Sequence, residues 1–568
     1  MSHADVIFTG GPVFTGTGQP QHGLAVLVRD GAIVALVPEA QADAHRGAGT
    51  RVVELEGALL SPSFQDAHLH PMGGGLESLQ CDLTEATDAA DAVARVARYA
   101  AEHPDAEWIV GAGWSMDHFP GGAPSRHELD AVTGERPTVL ASRDHHSAWA
   151  NTAAIALAGL DASTPDPADG RLEREPDGFP QGTFHEGAEH LFAHLRPHIS
   201  EDQALQGLLA AQEDMLALGI TGWQDAWVGS GMAGIQDIDA VYRRAAAEGL
   251  LKVHVRGAQW WERDRGLEQI PEMVARRAAA QSQGSGPAYV PGTVKIMVDG
   301  VAENFTAAML HPYHDHSGHS TQNSGLSFVD RQLLKDAVTA LDAEGFQVHF
   351  HALGDRAVRE ALDALEAARA ANGPSANRHH LAHLQMVDEE EVARFAQLDA
   401  TANLQALWAT HEEQLDELTL PFLRQGAEER HYPFGDLVRA GARLAAGSDW
   451  PVSSPDPLEA LHIAVNRRYP GSELPPLAGP EQALDVATFL AAYTSGSARV
   501  NHRDQDTGSL APGFLADLVI LDPNPFALDA PDLHTVRVNS TWIQGAPVFE
   551  SKALASQAAD AITPGAGA

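Results

Sequence analysis

The chain of 568 residues contains one cysteine, Cys81, and four lysines among its 37 basic residues. A single cysteine cannot form an internal disulfide, and it excludes a zinc site built from several thiolates of one chain. The scarcity of lysine makes a lysine inside an apolar strand unusual. Acidic residues number 77, which gives a net charge of −40. Such a charge argues against nucleic acid or an anionic membrane as a partner because phosphates would be repelled.

The sequence also lacks an apolar run of the ~18 residues that a membrane helix needs. Its start, "MSHADVIFTGGPVF", has no basic segment followed by an apolar stretch, so no secretory signal is visible. We therefore predict a cytoplasmic protein that acts on a small molecule, with neither nucleic acid nor membrane as a partner. The sequence leaves open whether the chain forms a homo-oligomer. At this length we expect two or three domains, since a single core does not grow so large.

Both ends of the sequence carry short strand-like segments joined by glycine-rich turns, such as "VIFTGGPVF" near the start and "GSLAPGFLADLVILD" near the end. Two strand-rich ends around a long middle predict one small β-sandwich built from both termini, with residues 1–62 and 502–550 as its two parts. The last segment, 551–568, is small and weakly polar, and we expect it to be frayed.

The middle of the sequence alternates strand-like segments with alanine-rich, helix-like ones, which predicts a parallel α/β architecture. Eight strand-like segments close a (β/α)₈ TIM barrel; they span residues 63–70, 219–226, 251–258, 293–299, 346–352, 379–385, 399–405 and 442–449. The interval after the first segment is far too long for one βα connection. We therefore predict the first barrel strand within 63–74, an inserted α/β subdomain over the barrel mouth at 75–206, and the rest of the barrel within 207–501.

The first predicted strand ends in "SFQDAHLHP", which places His68 and His70 two residues apart. Residues two apart in a strand point to the same side, so both imidazoles project together. In "TVKIMVD" the same alternation turns Lys295 toward the barrel interior, opposite the apolar face. A buried, unpaired lysine is costly, so Lys295 needs a partner or a chemical change; a core salt bridge is the alternative.

Three further predicted strands carry metal-compatible side chains. The fifth strand has His349 and His351 on one face together with Gln347, the sixth has His379, His383 and Gln385 on one face, and the eighth ends in Asp449. The C-terminal strand ends of a TIM barrel are where active sites lie. Because imidazole and carboxylate suit zinc and similar divalent ions, the joint pattern predicts that His68 and His70 are metal ligands.

Several motifs of this sequence resemble the amidohydrolase superfamily, and more closely its YtcJ-like branch, amidohydrolase family 3. The resemblance covers nearly the whole chain and is most specific at "HALGDRAV" and "GSDWPV". It implies a metal-bearing barrel with a two-ended β-sandwich. The other matching motifs are "SPSFQDAHLHP", "SRDHHSAWANTAAI", "VKIMVDGVAENFTAAML", "HLAHLQMV" and "GSLAPGFLADLVILD".

The resemblance implies roles for individual residues. His68 and His70 correspond to ligands of a first metal, and Lys295 to a lysine that carries a CO₂-derived carbamate and bridges two metals. His351 and His383 correspond to ligands of a second metal, with His349 as the rival of His351. Asp449 corresponds to the catalytic base and a metal ligand. One or two divalent ions are implied, Zn²⁺ or another metal.

The resemblance also favours His146 as a substrate contact at the barrel mouth. Trp114, Trp223 and Trp408 are candidate apolar walls for the substrate, with core packing as the alternative for each. Asp299 is a further candidate contact and, like His146, an alternative proton carrier to Asp449.

The implied function is hydrolysis of a carbon–nitrogen bond other than a peptide bond. An N-substituted amide is the expected substrate, and an N-substituted formamide is a specific option because the family includes such a deformylase. A deaminase acting on an aminated heterocycle and a non-catalytic scaffold with this fold are the alternatives.

Overall fold

The structure is a computed structural model that describes residues 3–195, 197–229, 235, 237–282 and 288–551. The predicted frayed tail therefore lies outside the described residues from position 552 onward. Among the helices that are described, none is both long enough and apolar enough to cross a bilayer.

The largest sheet has eight strands, and each neighbouring pair along it is parallel. The prediction of an eight-stranded α/β barrel is confirmed, and every strand lies within or overlaps its predicted segment. In sheet order the strands are β6 (Phe64–Leu69), β13 (Ile220–Val228), β14 (His254–Trp260), β15 (Tyr289–Met297), β16 (Gln347–Ala352), β17 (His380–His383), β18 (Thr401–Leu404) and β19 (Arg443–Ala446).

Two four-stranded sheets form the predicted β-sandwich from both ends of the chain. Phe8 and Trp542, one from each sheet, meet edge-to-face inside their shared apolar core. The first sheet contains β1 (Val6–Thr9), β2 (Leu24–Arg29), β3 (Ala32–Pro38) and β4 (Arg51–Glu54). The second contains β5 (Leu59–Pro62), β20 (Leu518–Asp522), β21 (Arg537–Ile543) and β22 (Ala546–Glu550).

A separate six-stranded sheet occupies the long interval between the first two barrel strands. The insertion after strand one is therefore confirmed as part of the fold, while the exact domain limits stay a prediction. Its strands are β7 (Cys81–Asp82), β8 (Ile109–Trp114), β9 (Thr138–Ser142), β10 (Ser147–Ala150), β11 (Gly170–Arg174) and β12 (Pro180–Glu186).

Most longer helices begin at a side chain that accepts a backbone N–H, as Asp88, Ser200 and Asp330 do, which satisfies otherwise unpaired donors of the first turn. The helices are α1 (Pro71–Glu77), α2 (Ala89–Glu102), α3 (Arg126–Thr133), α4 (Thr152–Leu157), α5 (Glu201–Ala217), α6 (Ile238–Ala247), α7 (Ile270–Ser282), α8 (Arg331–Ala343), α9 (Asp355–Asn372), α10 (Glu389–Leu398), α11 (Phe434–Arg439), α12 (Pro457–Asn466), α13 (Val486–Ala491) and α14 (Ser497–Val500).

The segment that follows β19, the last barrel strand, forms hydrogen bonds with the end of β6, the first barrel strand. The Asp449 N–H donates to the His68 carbonyl at 2.8 Å, and the His70 N–H donates to the Trp450 carbonyl at 2.8 Å. Gly447 lies so close to β6 that a Cβ atom there would stand 2.6 Å from the His68 nitrogen. Only a glycine leaves room for this approach.

We predict that Gly447→Ala destabilises the protein by about 1–3 kcal/mol, since the new methyl group overpacks the joint between β6 and β19. The measurement is the thermal unfolding midpoint of the metal-free variant. Gly49→Ala is the control, because a Cβ atom at Gly49 meets nothing within 4 Å. Equal midpoints for the two variants would contradict the close approach at Gly447.

Candidate active site

The joint between β6 and β19 brings three predicted site residues together at the C-terminal end of the barrel. The Asp449 Oδ1 atom lies 3.0 Å from His68 Nε2 and 3.1 Å from His70 Nε2. Asp449 adopts a left-handed backbone with φ 59°, which aspartate tolerates better than most residues. The carboxylate is therefore held against both imidazoles.

Lys295 points into the barrel, as the strand alternation predicts. Val294 and Ile296, on the other face of β15, are fully buried in the apolar core. The Lys295 Nζ atom lies 3.2 Å from His68 Nε2, and burial lowers the pKa of this amine to about 7. A large part of the Lys295 population is therefore neutral near pH 7.

His351 and His383, at the ends of β16 and β17, complete the cluster. Their ring centroids are 4.5 Å apart, and His383 Nδ1 lies 3.7 Å from Asp449 Oδ2. The prediction that His379 shares a face with His383 is wrong, because His379 instead contacts Asp342 of α8 at 3.0 Å. His380 is the interior residue, and the left-handed backbone at His383, with φ 80°, turns that side chain inward as well.

This cluster has the donor atoms that a divalent metal requires. His68, His383 and Asp449 each offer one ligand atom, and these atoms lie within 4.8 Å of one another. Among the described residues, no hydrogen-bond partner is found for the buried nitrogens His70 Nδ1, His351 Nε2 and His383 Nδ1. Buried polar atoms are normally paired, so imidazole nitrogens left in this state beside a carboxylate fit a metal ion.

Burial keeps the histidines in the unprotonated form that binds metal. It lowers the pKa of His68 to about 3, and it lowers the pKa values of His70, His351 and His383 as well. Ligand histidines must be neutral, so this environment removes the competition from protons near pH 7.

A cavity of about 680 Å³ opens above the cluster, and His351, His383 and Asp449 form part of its lining. Trp408 also lines it and stacks on the His383 ring at 5.4 Å. His146, from the inserted sheet, reaches the same cavity. The cavity thus connects the metal-compatible cluster with the barrel mouth.

The inserted sheet holds His146 through an ion pair that the sequence did not predict. His146 Nδ1 lies 2.9 Å from the Glu186 Oε2 atom at the end of β12. Burial lowers the pKa of His146, but the charge of Glu186 outweighs it and raises the pKa to about 9. The imidazole is therefore a cation near pH 7. The His-Glu pair at the end of "PQGTFHE" is the one sequence signal that could have indicated Glu186.

Three predicted substrate contacts are outside the described cavity lining, although the Asp299 Oδ1 atom lies 4.0 Å from His351 Nε2. Trp114 packs against Phe119 and Trp149 in the core of the insert, and Trp223 is buried in the main core, so both take the alternative role of core residues. The Asp299 carboxylate accepts N–H groups from Ala308, Leu353 and Gly354. None of the three is part of the described cavity lining.

Carboxylates dominate the cavity wall away from the histidine cluster, which the sequence pattern did not indicate. Among the described lining residues, Arg143 is the single arginine or lysine. The Glu412 carboxyl illustrates the crowding, since burial and the nearby charge of Glu303 raise its pKa to about 7. The carboxylates in question are those of Glu77, Asp82, Glu85, Asp117, Asp144, Glu303, Glu412 and Glu459.

A parallel eight-stranded barrel with a histidine–aspartate cluster at its C-terminal strand ends fits a metal-dependent enzyme. The profile of the amidohydrolase family matches residues 51–549. The chain belongs to this family.

Known proteins similar to this chain agree with that assignment. YtcJ, an amidohydrolase by name from Bacillus subtilis (strain 168), is 28% identical over 96% of this chain and 99% of its own length. The N-substituted formamide deformylase of Arthrobacter pascens is 27% identical over 93% and 95%. The crystal structure of a metal-dependent hydrolase from Pyrococcus horikoshii OT3 shares the fold, with a TM-score of 0.70, 24% identity and coverage of 92% and 99%.

We predict that a His68→Ala/His70→Ala double substitution lowers the amount of divalent metal bound per chain, because it removes two of the clustered imidazoles. Elemental analysis of the purified protein measures this ratio. The matched control is His127→Ala/His190→Ala, because both of these side chains are mostly exposed and far from the cluster in sequence. Unchanged stoichiometry in the first variant would show that the metal lies elsewhere.

Proposed function

We propose that this protein hydrolyses the carbon–nitrogen bond of an N-substituted amide, with N-substituted formamides as the specific substrate class. The observation that carries the proposal is the set of buried imidazole nitrogens, beside Asp449, for which the described part of the chain offers no hydrogen-bond partner. The similarity to an N-substituted formamide deformylase supports the choice of bond.

His68, His70, His351, His383 and Asp449 would hold one or two divalent ions, with Zn²⁺ as the expected metal. Such an ion, when bound, supplies a Lewis acid that makes water nucleophilic near neutral pH and polarises a carbonyl oxygen. The Asp449 carboxylate accepts a proton from the attacking water. It then delivers that proton to the departing nitrogen, which leaves as an amine.

Lys295 is the proposed site of a carbamate. Its lowered pKa of about 7 leaves a neutral amine that can attack CO₂, forming an N–C bond and releasing one proton. The reaction replaces a cation by an anion with two oxygen donors, next to His68. This change resolves the cost of a buried lysine without an acidic partner.

His146 and Trp408 are the proposed substrate contacts. Glu186 occupies His146 Nδ1, which leaves the Nε2–H of the imidazolium as a donor for a substrate oxygen. Trp408 offers an apolar surface beside His383 for the carbon chain on the nitrogen. The carboxylates of the wall favour a neutral or cationic chain over one that ends in a carboxylate.

We predict that Asp449→Asn reduces kcat by about 10²–10⁴-fold, the usual contribution of a general acid–base group. The substrate is an N-alkylformamide, and released formate is measured together with the metal content of the same sample. Asp416→Asn is the matched control, because Asp416 is not part of the described cavity lining. Near-normal kcat for Asp449→Asn at full metal content would show that another group moves the proton.

We also predict a charge preference between formamides that differ only at the far end of the N-alkyl chain. An ammonium end should give a higher kcat/KM than a carboxylate end, by on the order of 10–10³ at low salt. The ratio should shrink with added salt because the wall carboxylates are screened. A preference for the carboxylate end would contradict the proposed substrate class. Ammonia release from aminated heterocycles, without formate release, would favour the deaminase alternative.

A further inference from the structure

We infer that the buried amides of Gln347 and Gln224 set the tautomer of His68 through His349, and so keep His68 Nε2 free of its proton and ready to bind metal. This inference rests on the proposed metal site. Gln224 and Gln347 are positioning residues in this account, since neither lies at the cavity.

Gln347 has one possible amide orientation. Its Nε2 atom lies 2.7 Å from the Arg378 carbonyl oxygen and 2.9 Å from the Val500 carbonyl oxygen. Carbonyl oxygens can only accept, so the amide NH₂ group must face them. The Oε1 atom then faces the barrel interior, where it accepts a hydrogen bond from the Thr293 hydroxyl at 2.6 Å.

The orientation of Gln347 determines that of Gln224. Gln224 Nε2 lies 3.1 Å from Gln347 Oε1 and donates to it. Gln224 Oε1 therefore faces the opposite way, 2.9 Å from His349 Nδ1 and 3.0 Å from His380 Nε2. Both ring nitrogens must carry hydrogen because an amide oxygen can only accept.

The hydrogen on His349 Nδ1 determines the proton of His68. The His349 ring is fully buried, and its two nitrogens contact an amide oxygen and another imidazole, so a positive charge on this ring would lack an anionic partner. The ring is therefore neutral, and its Nε2 atom has a lone pair. That lone pair lies 2.9 Å from His68 Nδ1, which must donate to it. A neutral His68 then has no hydrogen on Nε2, the atom that faces Asp449 and Lys295.

His380 provides an independent check of this order of donors and acceptors. With hydrogen on Nε2, a neutral His380 must accept at Nδ1. The Asn403 Nδ2 atom lies 3.2 Å from that nitrogen and also donates to the Ala67 carbonyl. The Asn403 Oδ1 atom in turn accepts from Gln405 Nε2 at 3.3 Å. Every donor in this second branch thus faces an acceptor.

The tautomer has a direct consequence for metal binding. The His68 Nε2 lone pair lies 3.0 Å from Asp449 Oδ1 with no hydrogen between them. The Lys295 amine, 3.2 Å from His68 Nε2, can donate to that lone pair, whereas a metal ion accepts the lone pairs of both atoms. We call the chain of hydrogen bonds from Gln347 through Gln224 and His349 to His68 the relay. The relay therefore keeps hydrogen off the atom that must bind the metal. Without it, a His68 Nε2–H group could donate to Asp449, and this hydrogen bond would compete with the metal.

The test uses Gln224→Met, which removes the oxygen that holds His349 Nδ1–H. Groups that orient metal-binding histidines typically contribute 10–100-fold to metal affinity, so we expect the Zn²⁺ dissociation constant to rise by about 10–100-fold. It is measured by competition with a chromogenic chelator, and the melting temperature of each metal-free variant is recorded alongside.

A second variant separates positioning from general damage to the core. Gln259→Met makes the same substitution at a fully buried glutamine of β14 that bonds to Met273 and Pro291 carbonyls, and it should retain the parent affinity. If Gln224→Met does not fold, Gln347→Met tests the same relay, because it removes the oxygen that orients the Gln224 amide.

The outcomes distinguish the relay from the proposed function. If the parent protein binds Zn²⁺ but Gln224→Met binds it equally well, the relay is wrong and the proposed metal site stands. Equal losses in Gln224→Met and Gln259→Met would also overturn the relay. A parent protein that binds no divalent metal would overturn the proposed function itself.

Discussion

The buried carboxylate of Asp66 is the interaction on which the site depends. Its Oδ1 atom accepts the His68 N–H at 2.8 Å, and its Oδ2 atom accepts the Ser448 N–H at 3.0 Å. Asp66 thus ties the end of the first barrel strand to the segment after the eighth, one residue before Asp449. Burial raises its pKa to about 7, while these N–H groups lower it because they stabilise the charged form.

The interior of this barrel is polar beneath the metal-compatible cluster. Glutamine, histidine and asparagine side chains from several strands meet there, where TIM barrels usually pack branched apolar residues. Such a network is stabilising only when its donors and acceptors match, since a half-satisfied network is worse than an apolar core. The donors and acceptors of Gln347, Gln224 and His349 are matched in this way. The folding of the barrel is therefore coupled to which nitrogen of each histidine carries hydrogen.

The sequence predicted the features that depend on local patterns. Apolar alternation located the eight barrel strands and turned Lys295 inward, because the period of two is a property of the strand itself. The resemblance to amidohydrolases supplied the ligand roles, and the structure brings those residues to one place. Their individual roles stay predictions until metal and activity are measured.

The sequence failed where the outcome depends on tertiary contacts. The position of His379 was wrong because the left-handed backbone at His383 breaks the alternation of β17. Trp114 and Trp223 take the core role that the sequence left open, because a tryptophan in a core and one in a cavity wall look alike in sequence. Glu186 was missed because its partner His146 is reached only through the pairing of β10 with β12.

The inserted sheet and the barrel contribute different parts of the site. It contributes His146, Arg143, Asp117 and Asp144 to the cavity, while all six proposed metal-binding side chains come from barrel strands or the turns that follow them. Substitutions in the insert can therefore alter which molecule enters without disturbing the bond-breaking apparatus. Exchange of residues 75–206 between relatives would replace the part of the cavity wall that the insert contributes, while Trp408, Glu303 and Glu412 would stay with the barrel.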